Sequence, residues 1–191
     1  PLFGDEGSAN HCRVKSDTHS VELFVYGACQ QNPIFPARQS REASLAVARL
    51  HRLTPSQTLF VEQNPKTIDA GAFHNDVVCI ANDTVILYHE KAFVNSDATI
   101  KDLQNRLGSP LTAVKIPEKQ LPLKETIDSY LFNSLLITQP SGSMALLAPQ
   151  ECKDTPLAEK CLKQIVADNR NPITDLHYVD LSESMKNGGG P

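Results

Sequence analysis

The chain has 191 residues, enough for one domain or a large part of one, and its 40% hydrophobic and 21% charged residues are ordinary for a globular protein. Its formal net charge of -4, with basic residues scattered along the chain, argues against a nucleic-acid-binding protein. No apolar run approaches the roughly 20 residues that cross a bilayer, and the N-terminus has no signal-peptide pattern. We therefore expect neither a nucleic acid nor a membrane as partner.

The five cysteines indicate neither a disulfide framework nor a zinc ribbon, because their number is odd and no C-x-x-C pair occurs. Cys79 and Cys161 lie in apolar patterns that are typical of buried thiols. We expect all five cysteines to be reduced, as in a cytoplasmic protein.

The first half of the chain alternates between strand and helix patterns. The predicted elements are a strand at 21–26, a helix within 40–53, a strand at 58–61, a hairpin of 77–81 and 85–88, a helix at 98–107 and a strand at 111–116. Asn82-Asp83 is the predicted hairpin turn. Ser96 or Asp97 is the predicted helix cap, and Gly108 marks the helix end.

The second half continues in the same way. The predicted elements are a helix at 123–130, an apolar run at 131–137 that pairs with 143–148, a helix that begins at Thr155-Pro156 and a strand at 178–181. This order predicts a repeated unit of the α/β or α+β class.

His74 and Asp76 are the most informative pair, because they stand two residues apart just before the apolar run 77–80. If that run opens a strand, residues two apart point to the same face, so both side chains face one pocket. The pair offers a proton carrier near neutral pH and an anion that binds a cation. Taken alone, a structural hydrogen bond explains the pair equally well.

A metal site would need a third ligand beside this pair. The sequence offers His11, His89 and Glu6. No H-x-H or H-E-x-x-H spacing supports such a site, so we predict no bound metal.

Three other segments contain candidate functional residues. Residues 5–11 contain two acids, a glycine and a histidine, a composition that also suits a surface turn. Arg38 precedes a predicted helix, where it is either a surface ion-pair partner or a bidentate clamp on a carboxylate. Residues 184–191 contain three consecutive glycines, which either let the backbone approach a ligand or form a terminal tail.

Together, these segments resemble one family, the N-succinylarginine dihydrolases of the guanidino-group-modifying, amidinotransferase-like superfamily. The matching segments, in order, are DEGSANH at 5–11, FPARQSREA at 35–43, QNP at 63–65, IDAG at 68–71, FHND at 73–76, YLFNS at 130–134 and SMKNGGGP at 184–191. Each match is weak evidence alone, whereas the ordered set of matches is specific for this family and extends over essentially the whole chain.

The resemblance implies an α/β pentein fold, a fan of ββαβ units around a pseudo-fivefold axis. Family members are considerably longer, so residues 1–191 are expected to be a partial pentein domain that holds about half of the fan. A partial fan should leave sheet edges and apolar faces exposed, which would favour self-association. The family implies a homodimer for the full-length protein.

The implied reaction is hydrolysis of N2-succinyl-L-arginine to N2-succinylornithine, two ammonia and CO2 in arginine catabolism, without metal or organic cofactor. A cysteine thiolate attacks the guanidinium carbon, ammonia leaves, and water cleaves the covalent intermediate.

By the resemblance, Glu6 corresponds to a catalytic glutamate that hydrogen-bonds the guanidinium and His74 to the catalytic proton carrier. Asp76 corresponds to a guanidinium-binding aspartate, Arg38 to the arginine that binds a substrate carboxylate, and Asn187 to a substrate-contacting asparagine. A planar cation with several N–H donors suits such paired carboxylates.

The family's nucleophilic cysteine follows the Asn-Gly-Gly-Gly-Pro motif closely, whereas this sequence ends at Pro191. None of the five cysteines has that context, so we assign no nucleophile and expect the 191 residues alone to be inactive. The alternatives are a non-catalytic module that binds guanidino compounds, or a sibling enzyme such as an arginine deiminase or dimethylarginine hydrolase.

Overall fold

The structure, a computed structural model, describes residues 8–27 and 34–187. In these residues the chain forms three successive units, each with two antiparallel strands, a helix, and a third strand that pairs parallel with the second. The α/β class and the ββαβ unit are therefore confirmed.

The elements follow one another in the same order in each unit. The first unit consists of β1 (His11–Lys15), β2 (Ser20–Tyr26), α1 (Arg41–Leu50) and β3 (Thr58–Glu62). After the short helix α2 (Pro65–Asp69), the second unit consists of β4 (Cys79–Asn82), β5 (Val85–His89), α3 (Ser96–Leu107) and β6 (Thr112–Ile116). After α4 (Leu123–Asp128), the third unit consists of β7 (Leu135–Thr138), β8 (Met144–Pro149), α5 (Gln150–Asp154), α6 (Pro156–Ala167) and β9 (Ile173–Val179), followed by α7 (Ser182–Lys186).

The α3 and α6 helices each fill the space between their own sheet and the sheet of the preceding unit. Leu103 and Leu107 of α3 pack in one core cluster with Leu23 of β2 and Ile86 of β5. The α6 helix packs in the same way between β5 and β8 in a second cluster. The first strands also touch in sequence, β1 against β4 and β4 against β7. The three units thus form one continuous body with their first strands on a common side.

The third sheet has one face that no following helix covers among the described residues. Leu136 points into the core, whereas Leu135 and Ile137 are 42% and 43% exposed on the opposite face. Alternation along a strand explains the difference. This apolar face is the kind of surface expected of a partial fan, and self-association of the chain stays a prediction.

Several element ends agree with the sequence and others do not. Gly108 ends α3 in the left-handed region, at φ 65°, as predicted. The α3 cap is Asn95, whose side chain accepts a hydrogen bond from the Ala98 N–H at 3.1 Å, and not Ser96 or Asp97. The β4–β5 pairing of Asn82 with Val85 places the hairpin turn at 83–84, one residue later than predicted.

The predicted strand 77–81 is wrong at its start. Residues Asn75–Val77 form a single 3₁₀ turn, and β4 begins only at Cys79. The last strand also differs, since β9 spans Ile173–Val179 and the predicted 178–181 covers only its end. The sequence patterns missed β1 and the short helices α2, α5 and α7. Of the described helices, none is long and apolar enough to cross a membrane.

His89, at the end of β5, is buried and forms hydrogen bonds within the second unit and to the segment that follows β6. Its Nδ1 accepts the Lys91 backbone N–H at 3.1 Å, so Nε2 bears the hydrogen and donates to the Leu121 carbonyl at 3.0 Å. Burial lowers the pKa of His89, against the opposing effects of the Leu121 carbonyl and the Glu118 carboxylate. The folded state therefore holds this imidazole neutral.

We expect this histidine to make the chain less stable as pH falls. Below about pH 6.5, the ordinary value for histidine, the unfolded chain takes up a proton that folded His89 takes up only at lower pH. Stability is therefore lost as pH decreases through that value. At pH 7.5, His89→Gln should lower the unfolding free energy by about 1–3 kcal/mol, and the melting temperature with it. Between pH 7.5 and 5.5, the melting temperature of His89→Gln should then fall less than that of the unaltered chain.

Thermal unfolding monitored by circular dichroism across this pH range measures the effect. The matched control is His19→Gln, because His19 lies on the surface. Part of the pH dependence should persist in His89→Gln, since burial also lowers the pKa of His11. Equal pH slopes for His89→Gln and the unaltered chain would contradict the prediction.

Candidate functional site

The segment that bears His74 is attached to the first unit by a buried glutamine. Gln63, 3% exposed, donates from its side-chain amide to the Ala72 carbonyl at 2.7 Å and to the His74 carbonyl at 3.4 Å. Gly71 precedes the segment with φ 110°, a conformation that favours glycine. These contacts hold residues 72–74 against the end of β3.

The prediction that His74 and Asp76 share one face of a strand is wrong. His74 is the extended residue that precedes the 3₁₀ turn Asn75–Val77, and Asp76 lies within that turn. His74 lies edge-on against the Phe73 ring, with 5.2 Å between ring centroids, whereas Asp76 lines an adjoining groove.

Phe73 brings two of the predicted site residues into one cluster. The Arg38 guanidinium carbon lies 5.4 Å from the centroid of the Phe73 ring, in cation–π geometry. The same ring contacts His74 and the Phe35 ring, whose centroid is 5.7 Å away. Arg38 and His74, 36 positions apart in sequence (74 minus 38), therefore contact a common aromatic side chain.

The loop that bears Arg38 is packed closely on the end of β2. The Gly27 N–H donates to the Gln39 carbonyl at 3.0 Å. A Cβ on Gly27 would lie 2.1 Å from the Ala37 Cβ, so only glycine fits beside this loop. The buried Gln39 side chain accepts a 2.7 Å hydrogen bond from Ser44 of α1. Both neighbours of Arg38 are therefore fixed by the first unit.

A groove of about 530 Å³ runs between the first strands of the three units. Its lining includes Cys12 of β1, Asp76 of the 3₁₀ turn and Leu135 of β7. The turn Ser8–Asn10 packs against Asn75–Val77 beside this groove. Glu6 itself lies outside the described residues.

The groove wall on β1 is strongly hydrogen-bonded. Arg13 donates to the Glu22 carboxylate across the β1–β2 pair. His11 stacks on Phe24 with 5.2 Å between ring centroids. Burial lowers the pKa of His11, although the Glu22 carboxylate opposes the shift. Among the described residues, no three His, Cys, Asp or Glu side chains are grouped so that they could hold a metal ion.

Asn187 lies at the end of α7, after the third unit. Its side-chain amide donates to the Glu183 carbonyl at 2.8 Å, and its backbone N–H donates to the Ser184 carbonyl at 3.1 Å. These contacts close the last turn of α7. The following glycines, 188–190, lie outside the described residues.

Sequence reasoning assigned no role to two residues that organise this region, Gln63 and Phe73. Both fall within the motifs that carry the family resemblance. The available signal for Gln63 was a polar amide directly after an apolar strand, and for Phe73 an aromatic ring adjacent to the histidine. Neither signal identifies a partner, because the partners lie in other elements.

The comparisons with known sequences agree on one family. The model of the succinylarginine dihydrolase family matches residues 1–191. The N-succinylarginine dihydrolases of Shewanella piezotolerans and Legionella pneumophila (strain Paris) are 45% and 46% identical to the chain, over 99% and 98% of its length. That of Photorhabdus laumondii is 43% identical over 99%.

The chain spans 44% of the length of each of these relatives. Among solved structures, an agmatine deiminase from C. jejuni matches 96% of this chain and 52% of its own, with 15% identity and a TM-score of 0.47. Because the family model covers the chain from its first residue to its last, the chain belongs to the succinylarginine dihydrolase family.

Proposed function

We propose that the protein hydrolyses N2-succinyl-L-arginine to N2-succinylornithine, two ammonia and CO2, as a step of arginine catabolism. The observation that supports this proposal is family membership over all 191 residues. The chain is one part of the catalytic domain in this proposal, and the nucleophilic cysteine belongs to the sequence that follows the Asn-Gly-Gly-Gly-Pro motif in the family pattern.

In the proposed mechanism, Glu6 and Asp76 bind the planar guanidinium by charge-assisted hydrogen bonds and orient its carbon toward the thiolate. His74 donates a proton to each departing ammonia and accepts one from the attacking water. The His74 carbonyl is fixed by Gln63, so the orientation of the imidazole relative to the bound guanidinium depends on a rigid backbone.

Arg38 is the proposed ligand of a substrate carboxylate, with Asn187 as a further substrate contact. A guanidinium held over an aromatic ring directs its N–H donors within its own plane, where they can form a bidentate pair with a carboxylate. N2-succinylarginine presents carboxylates at both its succinyl and its amino-acid ends. Phe73 beneath Arg38 would then set the distance between carboxylate and guanidinium subsites.

Family membership also supports proposals on location, oligomeric state, cofactors and partners. We infer a cytoplasmic protein that forms a homodimer at full length, uses no metal or organic cofactor, and binds neither nucleic acid nor membrane. Residues 1–191 would supply three units of a fan with a pseudo-fivefold axis.

A chimera tests the proposed reaction directly. In this chimera, the 191 residues take the place of the matched 44% of the Legionella pneumophila (strain Paris) relative. The chimera should release two ammonia per succinylarginine consumed, and His74→Ala should reduce turnover by about 10²–10⁴-fold, because the proton carrier is lost. The 191 residues alone should release no ammonia.

The matched control for this assay is His19→Gln, a surface histidine of the same chain, which should leave turnover unchanged. A folded chimera that hydrolyses arginine in preference to succinylarginine would contradict the proposed substrate. Calorimetric binding of succinylarginine without turnover by the chimera would instead indicate a binding module.

Phe73 should affect substrate binding through Arg38. In the chimera, Phe73→Leu should raise KM for succinylarginine about 2- to 30-fold, since a cation–π contact contributes roughly 0.5–2 kcal/mol. Phe73→Tyr should restore most of the affinity because it retains the ring. Steady-state kinetics measure both variants.

The control for lost aromatic packing is Phe60→Leu. Phe60 stacks on Phe24, with 5.5 Å between ring centroids, and contacts neither Phe73 nor Arg38 in a ring contact of the described residues. This variant should lower thermal stability without changing KM. Equal KM values for Phe73→Leu and the unaltered chimera would show that the ring does not position Arg38.

A further inference from the structure

Two neighbouring apolar side chains are exposed beside the cluster formed by Arg38, Phe73 and His74. Ile34 is 76% exposed and Phe35 is 39% exposed, and both precede α1. Contiguous exposed apolar side chains that border charged groups are typical of ligand-binding surfaces. We therefore ask which ligand group this surface would contact.

The chain around the end of α2 holds this exposed surface in place. The Ile34 N–H donates to Oδ1 of Asp69, the last residue of α2, at 3.1 Å. The Phe35 ring lies against the Phe73 ring, with 5.7 Å between ring centroids and 32° between ring planes. A Cβ on Gly71 would lie 3.9 Å from Phe35 Cε2, so this ring also lies next to the Gly71 backbone. The position of Phe35 is thus set by a second segment of the chain, although the ring is exposed.

Phe35 shares its aromatic neighbour with both predicted site residues of the cluster. The Phe73 ring centroid is 5.7 Å from that of Phe35, 5.4 Å from the Arg38 guanidinium carbon and 5.2 Å from the His74 ring centroid. An exposed aromatic surface, a cation and an imidazole therefore all contact one ring. Small-molecule sites have this composition, in which apolar and aromatic walls accompany a few polar groups.

We propose that Phe35, together with Phe73, forms an apolar subsite for the three methylenes of the arginine side chain of the substrate. This inference rests on the proposed function, since it takes succinylarginine as the ligand. The three methylenes join the guanidinium to the α-carbon and carry no hydrogen-bonding group. Arg38 and the carboxylates bind only the charged ends, so these methylenes need an apolar wall if they are to leave water.

The subsite acts on binding and not on the chemical step. A methylene that becomes fully buried strengthens binding about 4-fold. The methylenes are buried equally in the bound substrate and in the transition state, so their contribution lowers KM and leaves kcat unchanged. Phe35 is therefore a specificity-determining residue, and His74 remains the proposed proton carrier.

A purely structural role for Phe35 makes a different prediction. If the ring only supported Phe73 and thereby Arg38, its removal would weaken carboxylate binding to the same extent for every ligand that carries the same carboxylates. An apolar subsite instead weakens only ligands that carry the aliphatic chain. Two ligands that differ in this chain alone separate the two roles.

The test measures the binding of two unreactive ligands to the chimera by calorimetry. N2-succinylnorvaline has the carboxylates of succinylarginine and three side-chain carbons, but no guanidinium. N2-succinylglycine has the same carboxylates and no side chain. The ratio of their Kd values isolates the three carbons, because any effect on Arg38 acts on both ligands.

The unaltered chimera should bind N2-succinylnorvaline about 5- to 50-fold more tightly than N2-succinylglycine. Phe35→Ala should reduce this ratio by at least about 3-fold, close to the contribution of one buried methylene. Phe35→Leu should keep most of the ratio, because leucine retains an apolar surface. The matched control is Leu157→Ala, since Leu157 is 42% exposed on α6 of the third unit, and it should leave the ratio unchanged.

Equal ratios for Phe35→Ala and the unaltered chimera would overturn the subsite, as would equal affinity of the unaltered chimera for the two ligands. So would a folded chimera, checked by circular dichroism, that binds neither ligand. Ammonia release from succinylarginine is measured separately on the same samples. Turnover with a ratio that ignores Phe35→Ala would contradict the subsite alone, whereas a ratio that responds to Phe35→Ala without turnover would contradict the proposed reaction alone.

Discussion

The buried amide of Gln63 is the contact on which the arrangement of this region depends. Its backbone N–H donates to the Tyr26 carbonyl at 2.8 Å, at the end of β2, and its side chain donates to the Ala72 carbonyl at 2.7 Å. It also forms an isolated bridge with Phe93 of the second unit. One residue therefore connects the first sheet, the second unit and the segment that bears His74. A buried acceptor that loses such a partner costs about 1–3 kcal/mol.

The repeated packing of the units explains why functional candidates gather where they do. Because α3 and α6 each lie between two sheets, the first strands of successive units are left to meet along one side. The groove and its lining residues Cys12, Cys79 and Asp76 lie along that side. Arg38 and His74 lie at its margin, where the loop before α1 and the turn before β4 both contact Phe73. The candidate site is thus a property of the junction between units, and a single unit could not form it.

The sequence predicted those helix ends that a single glycine or proline determines. Gly108 ends α3 because glycine adopts the left-handed conformation easily, and Pro156 at the first turn predicted α6. The β-branched Val77 and Val78 predicted a strand, whereas local hydrogen bonds form a 3₁₀ turn here: the Val78 N–H donates to the Asn75 carbonyl at 2.9 Å. The strand β1 was missed because HCRVK is short and mostly polar, and it is recognised by its pairing with β2.

The candidate site was predictable in its residue types and not in its geometry. The ordered motifs identified Arg38, His74 and Asp76, but the common contact of Arg38 and His74 with Phe73 arises from two loops far apart in sequence. Spacing alone predicted strand geometry for His74 and Asp76, whereas Asn75–Val77 form a 3₁₀ turn. The roles of all five residues, Glu6, Arg38, His74, Asp76 and Asn187, stay predictions.

The dependence of this segment on Gln63 is the central claim, and hydrogen exchange of a Gln63→Leu variant measures it most directly. The amides of Ala72, Val77 and Val78 should exchange about 5- to 150-fold faster, which corresponds to about 1–3 kcal/mol, while β5 and β6 keep their protection. Gln104→Leu is the control, because Gln104 makes equivalent contacts to Ser109 and Leu111 at the end of α3. Unchanged exchange at 72–78 in Gln63→Leu, or equal acceleration in both variants, would contradict the account.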